Sequence, residues 1–250
     1  MLEQVGVTGR YGAFLAHLGI SLAIFGVLTY LVVEVWYPDF FFYTDGGWQG
    51  LRLLLGVDLV LGPLLTLIVY RTGKPGLRFD LSVIALVQAA CLLIGVWIVH
   101  DQRPLAIAYV DGSFYSVCAQ SFREVDAPVP DLSAFPGPYP KWVTVALPND
   151  LDEQSAIRSE MLRTGRMLST LADRYTPFKP SDVDPKEASS SEEIIDRDRF
   201  THAVPRWTQA HAKMDHYRYF RFGARYVAEY VGFDGATGTF AGILETPSPR

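Results

Sequence analysis

Three long apolar runs crowd into the first hundred residues, and beyond them the pattern changes to short apolar stretches broken by Pro, Gly and Asp. A helix rising 1.5 Å per residue needs about 20 residues to cross a hydrocarbon core of roughly 30 Å. Three segments meet that length and predict transmembrane helices: Phe14 to Trp36, Leu51 to Tyr70, and Leu81 to Val99. The first lacks a short apolar core followed by an Ala-x-Ala-like site, so it is expected to stay as an anchor rather than be cleaved.

The short loops set the expected orientation. Arg71, Lys74 and Arg78 follow the second run, whereas the loop before it carries Asp39 and Asp45 and no Lys or Arg. The positive-inside rule then puts the basic loop and the N-terminus in the cytoplasm and residues 101–250 outside, with Arg52 arguing the other way. Trp36, Tyr37, Phe40 to Tyr43, Trp48 and Trp97 gather near the outer boundary, as an interfacial aromatic belt would.

In residues 101–250 the pattern predicts a small α+β domain. Asp111-Gly112 between Leu105–Val110 and Ser113–Cys118 predicts a hairpin, because both central residues of a type I′ turn need positive φ. A proline-rich loop is expected over 127–140, a strand over 142–147, and a helix over 151–175 capped by Asn149 or Asp150. Residues 176–191 read as irregular, short helices are expected near Glu192 and just after Pro205, and a second hairpin over 225–244. The expected fold is thus a three-helix transmembrane bundle plus a small α+β domain.

Charge narrows the function classes. Of 22 Lys and Arg and 27 Asp and Glu, five and six lie in the first hundred residues, so the remainder is net acidic. That is a poor match for nucleic acid, which needs cationic surface to displace counterions. Cys91 and Cys118 sit in different phases, so a disulfide between them is not expected; Cys118 reads as a buried small residue, a reactive thiol or a site of intermolecular pairing. His211, Asp215 and His216 lack the i, i+4 His spacing of a zinc helix and read as solvated surface. No phosphate loop, nucleophile elbow or His-Glu-x-x-His is present, and no metal or cofactor is expected.

The candidate chemistry is Asp58, an acid near the middle of the second run. Such a group costs roughly 2.5 to 3.5 kcal/mol on insertion scales, so it should face protein, water or a partner. Gly62 and Thr66 stack on its helical face, and Pro63 should kink the helix about one turn away. His17 and Ser21 share a face of the first helix, and Gln88, Cys91 and Gly95 a face of the third. Two readings stay open: these small and polar faces glue the bundle together, or they form a docking groove in which Asp58 meets a polar or cationic group of a guest helix. Glu34 and Arg52 can pair at the outer interface. An aspartyl-protease reading would need a second deep carboxylate, which the spans lack.

The residues of the second and third runs carry a family resemblance. Val57-Asp-Leu-Val-Leu-Gly-Pro-Leu-Leu-Thr-Leu-Ile-Val69, Gly73-Lys-Pro-Gly-Leu-Arg-Phe-Asp-Leu-Ser-Val-Ile-Ala-Leu-Val-Gln88, Arg103-Pro104 and the Trp36-Tyr37-Pro38 exit resemble the type IV pilin accessory proteins of the TfpX/TfpZ type. The likeness is close over about the first 120 residues and returns in Val231-Gly-Phe-Asp-Gly-Ala-Thr-Gly-Thr-Phe-Ala-Gly-Ile-Leu244. It implies a non-enzymatic accessory of the bacterial inner membrane with a periplasmic C-terminal domain. The implied partner is a cognate type IV major pilin, through its transmembrane helix and globular head, beside the lipid bilayer and other pilus assembly proteins. Partner-contact candidates are Asp58, Gly62, Pro63, Thr66, His17 and Gln88. The competing expectations are a periplasmic sensor signalling through a membrane partner and an enzyme using Cys118 or Asp58.

Overall fold

Each apolar run folds as a helix long enough to cross a membrane: Gly9–Trp36, Gly47–Val69 and Leu77–Asp101, of 28, 23 and 25 residues. At 1.5 Å per residue they extend about 35 to 42 Å. The computed structural model describes residues 2–189 and 216–244. It divides into two units, Met1–Arg103 and Pro104–Arg250.

In the first unit α1 (Leu2–Tyr30) passes into a π-helical turn, Leu31–Trp36. A single turn, α2 (Phe41–Thr44), precedes the second span, which is built from α3 (Gly47–Leu54), a π segment (Leu55–Leu61) and α4 (Gly62–Val69). The third span is α5 (Leu77–Asp101), launched from Gly76 in the left-handed region at φ 77°. Leu86, Leu93 and Trp97 stand exposed along α5, as side chains facing lipid tails would.

Small residues let the spans approach. A Cβ added at Gly50 would lie 2.7 Å from Val99, and one at Gly95 would lie 3.0 Å from Leu54. The aromatic residues divide in a way the belt expectation misses. Tyr43, Trp48 and Trp97 are exposed, but Tyr37, Phe40, Phe41 and Phe42 are buried, and the Tyr37 hydroxyl donates to the Val99 carbonyl at 2.7 Å. Arg52 lies over the Trp48 ring, 5.7 Å from its centre, rather than pairing with Glu34.

The second unit is a mixed sheet. Its strands are β1 (Pro104–Val110), β2 (Ser113–Cys118), β3 (Lys141–Val145), β4 (Tyr175–Pro177), β5 (Tyr217–Gly223), β6 (Ala228–Asp234) and β7 (Phe240–Leu244). The spatial order is β4-β3-β1-β2-β5-β6-β7. The expected first hairpin is present: β1 and β2 pair antiparallel, and Asp111 and Gly112 both have positive φ. Its outer edges are flanked by parallel partners, β3 on β1 and β5 on β2.

Every residue of β1 is buried. Successive strand residues point to opposite faces, so β1 serves two cores. Ala106, Ala108 and Val110 pack with Phe122 of α6 (Ala119–Arg123), Leu132, Val143 and Met161 of α7 (Leu151–Thr164). Tyr109 belongs instead to an aromatic cluster with Phe114, Trp142, Phe178, Phe220, Phe233 and Phe240. Its hydroxyl donates to Glu187 at 2.8 Å, and burial and that carboxylate both push the phenol up from its ordinary value.

The proline-rich stretch is a loop, held by Lys141. Buried Nζ donates to the Phe135 carbonyl at 2.9 Å and to that of Gly137, and it lies 4.8 Å from the centre of the Tyr139 ring. Asp150 caps α7 through the Asp152 and Glu153 amides, as the sequence predicts. The helix then stops eleven residues short of the expected Tyr175, because Gly165 takes φ 70° and closes the C-terminus. Two 3₁₀ turns, Leu168–Thr170 and Ala172–Arg174, lead into β4. The helices expected near Glu192 and after Pro205, with His211 and Asp215, lie outside the described residues.

The second hairpin forms from β6 and β7, beginning at Ala228 rather than Arg225. Asp234 organises its turn by accepting from the Ala236 and Thr237 amides at 2.9 and 2.8 Å and meeting His216 Nε2 at 2.8 Å. These donors, the Thr237 amide first, hold its carboxyl down at about 2 against an ordinary 3.8. A depressed folded-state value favours the ionised form, so this contribution to stability is complete above pH 3.8 and is lost as pH falls toward 2. We expect the β6–β7 turn amides to lose hydrogen-exchange protection across that window. Asp234→Asn should flatten the dependence; an unchanged pH profile in that variant would show that other groups govern it.

Candidate functional site

The second span cannot keep regular α-helical pairing through Gly62-Pro63, since a proline nitrogen has no hydrogen to give. The chain responds with the π segment Leu55–Leu61, which contains Asp58. In π geometry each carbonyl pairs with the N–H five residues on, and five residues on from Asp58 is Pro63. The missing donor comes from another helix: Gln88 Nε2 on α5 donates to the Asp58 carbonyl at 3.1 Å and to Asp58 Oδ1 at 2.7 Å. Pro63 therefore acts through the backbone opening it leaves, and the kink expected from it takes the form of a wide turn.

Gly62 makes the approach possible. A Cβ there would sit 2.1 Å from Gln88 Nε2 and 2.3 Å from Oε1. From α1, Ser21 donates its hydroxyl to Asp58 Oδ1 at 3.4 Å. One turn farther along, Thr66 donates to the Gly62 carbonyl at 3.1 Å, so its oxygen is left to accept from His17 Nδ1 at 2.6 Å. Arg10 reaches the Leu67 carbonyl from the same side of α1.

The polar cluster thus unites Asp58, Gly62, Thr66, His17 and Gln88 from all three spans, with Ser21 as a further member. Asp58, Ser21 and Thr66 are buried, at 3%, 1% and 5% exposure. Its hydrogen bonds run between the protein's own helices, the geometry of a lock holding the bundle. Cys91 is exposed and stands apart from it, and Gly95 faces Leu54 instead.

A second feature escaped the sequence reading. Gly12, Ala16, Gly19, Ala23 and Gly26 recur every three or four residues along α1, and all five are exposed. Added Cβ atoms at the three glycines would meet nothing within 4 Å. The signal in the chain is small residues at alternating spacings of four and three, lying within an otherwise largely apolar run. Such a stripe allows close backbone approach by another transmembrane helix.

Other candidate chemistry is sparse. Cys118 is half-buried at the start of α6, with Sγ 3.5 Å from the Ser121 hydroxyl. Among the described residues no group of three His, Cys, Asp or Glu is placed to hold a metal ion.

No protein-family profile matches the chain, and no solved structure matches it. Three fimbrial assembly proteins of Dichelobacter nodosus do. The protein of serogroups C1 and C2 is 30% identical over 95 residues, which cover 37% of this chain and 72% of that one. The serogroup I protein is 30% identical over 95 residues, 37% of each chain. The serogroup E1 protein is 30% identical over 98 residues, 38% of this chain and 37% of the relative. The chain thus spans just over a third of two of these relatives and nearly three quarters of the third. With that extent of the serogroups C1 and C2 protein matched, this multi-pass membrane protein belongs to the family of fimbrial assembly proteins.

Proposed function

We propose that the protein is an inner-membrane accessory, a pilin-specific chaperone that assists the stability or assembly of a type IV pilin. The observation that carries this reading is the kinship with fimbrial assembly proteins in a chain whose first hundred residues are three membrane spans. The basic Arg71–Arg78 loop lies in the cytoplasm in this reading, and the C-terminal domain lies in the periplasm. A subunit with an apolar helix and a globular head would find a counterpart for each part.

The locked cluster refines the role of the named residues. Asp58, Gly62, Pro63, Thr66, His17 and Gln88 fix the relative setting of the spans, and the open glycine stripe of α1 receives the guest helix beside it. The C-terminal domain reads the head, so exchanging it between relatives should move pilin preference.

The test is co-purification of the cognate pilin with the full chain in mild detergent, with photocrosslinkers at Ala16 and, on the second span, Leu61. Gly19→Leu should reduce pilin recovery on the order of tenfold, the equivalent of about 1.4 kcal/mol, while Leu93→Ala on α5 leaves it unchanged. Unchanged recovery with Gly19→Leu would remove the stripe from the reading. Failure of the unaltered chain to capture any pilin would sink the chaperone role itself.

A further inference from the structure

Two polar atoms in the locked cluster are buried without a hydrogen-bond partner, Asp58 Oδ2 and Gln88 Oε1. Both are acceptors as ordinarily written, and they belong to the same two groups already joined through Gln88 Nε2 and Asp58 Oδ1 at 2.7 Å. Two orphaned acceptors on one bonded pair are complementary if a single hydrogen is added between them. A carboxylic acid and a primary amide can then close a ring, with the amide N–H on one carboxyl oxygen and the carboxyl O–H on the amide oxygen.

The division of partners within the carboxyl group points the same way. Oδ1 takes both donors, Gln88 at 2.7 Å and Ser21 at 3.4 Å, as a carbonyl oxygen does. Oδ2 takes none, as a hydroxyl oxygen does. The surroundings agree. Asp58 is 3% exposed in an apolar span, its side-chain partners Ser21 and Gln88 are neutral, and among the described residues no Lys or Arg pairs with it. An isolated carboxylate costs far more to bury in such a place than a neutral acid with its hydrogen bonds made. The other titratable group of the cluster, His17 on α1, is engaged with Thr66.

We infer that Asp58 and Gln88 form a proton-binding site within the membrane, with one proton on Asp58 Oδ2 donated to Gln88 Oε1. The site closes an acid–amide ring between the second and third spans and presents no net charge to a guest helix. It concerns how the bundle is held and stands whether or not the guest is a pilin.

Infrared spectroscopy of the full chain in bilayers at neutral pH tests it. A protonated-carboxyl C=O band should be present and should be lost in Asp58→Asn. Loss of carboxylate bands instead, with the protonated-carboxyl region unchanged, overturns the inference. Asparagine can close the same ring with its own amide, so Asp58→Asn should melt within a few degrees of the parent. Asp58→Leu and Gln88→Leu, which cannot close it, should each melt several degrees lower. An Asp58→Asn chain that fails to insert, or that melts as low as Asp58→Leu, also overturns it.

Discussion

Replacing Phe114 by alanine should destabilise the C-terminal domain by about 3 to 5 kcal/mol, the range for deleting a buried aromatic side chain. Phe114 is fully buried, and five rings surround it: Tyr109 at 4.8 Å, Phe233 at 5.1 Å, Phe178 at 5.7 Å, Trp142 at 5.8 Å and Phe220 at 6.0 Å between centres. These neighbours come from β1, β3, β5 and β6 and from the segment after β4, so the cavity cannot be closed by moving one element. Domains of this size are stable by only about 5 to 15 kcal/mol, and the loss takes a large share. Hydrogen exchange of the β1 and β2 amides in the full chain measures it. Phe114→Leu should recover much of the protection, and a loss below about 1 kcal/mol for the alanine variant would mean the cluster is not the keystone of this sheet.

Gly62→Ala should separate the second and third spans at the polar cluster. The methyl group would occupy the place of the Gln88 amide, 2.1 Å from Nε2. That amide ends a flexible side chain and can swing aside, so overlap is not the main cost. Swinging aside breaks both bonds to Asp58 and leaves its carbonyl without the donor that Pro63 cannot supply. Interhelical hydrogen bonds in membranes contribute about 0.6 kcal/mol on average and up to about 1.7, so about 1 to 3 kcal/mol is expected. A double-mutant cycle isolates the cause. In a Gln88→Ala background Gly62→Ala should be nearly neutral; equal effects in both backgrounds would show that the glycine serves something other than the amide.

The elements written by local rules were legible in the chain. Three spans follow from apolar length, the β1–β2 turn from Asp111-Gly112, and the α7 start from Asp150. Misreadings arose where two local signals compete. The partial apolar stripe of Met167, Leu168 and Leu171 suggests a helix continuing past 165, but Gly165 ends it; Leu168 and Leu171 pack against the core around a 3₁₀ turn, while Met167 stays exposed. Strand β5 is not legible locally: Tyr217-Arg-Tyr-Phe-Arg-Phe222 mixes aromatic and basic residues, but Tyr219-Phe220 breaks a strict alternation, and its place beside β2 is set by long-range pairing. At the cluster, the membership of Asp58, Gly62, Thr66, His17 and Gln88 could be read from helical faces. The π turn could not, since it depends on a donor from another helix meeting the gap left by Pro63.

The arrangement of the central hairpin also sets the order of assembly. Strands β1 and β2 can close on each other as soon as their turn is made, yet both flanks stay open until distant chain arrives. Phe114 pairs with Phe222, roughly a hundred residues later. Folding of this domain is therefore governed by contacts of long sequence separation, which are slow to form. A chain stalled or cut before Tyr217 would present β2 as a bare edge, the kind of surface on which strands of other molecules add.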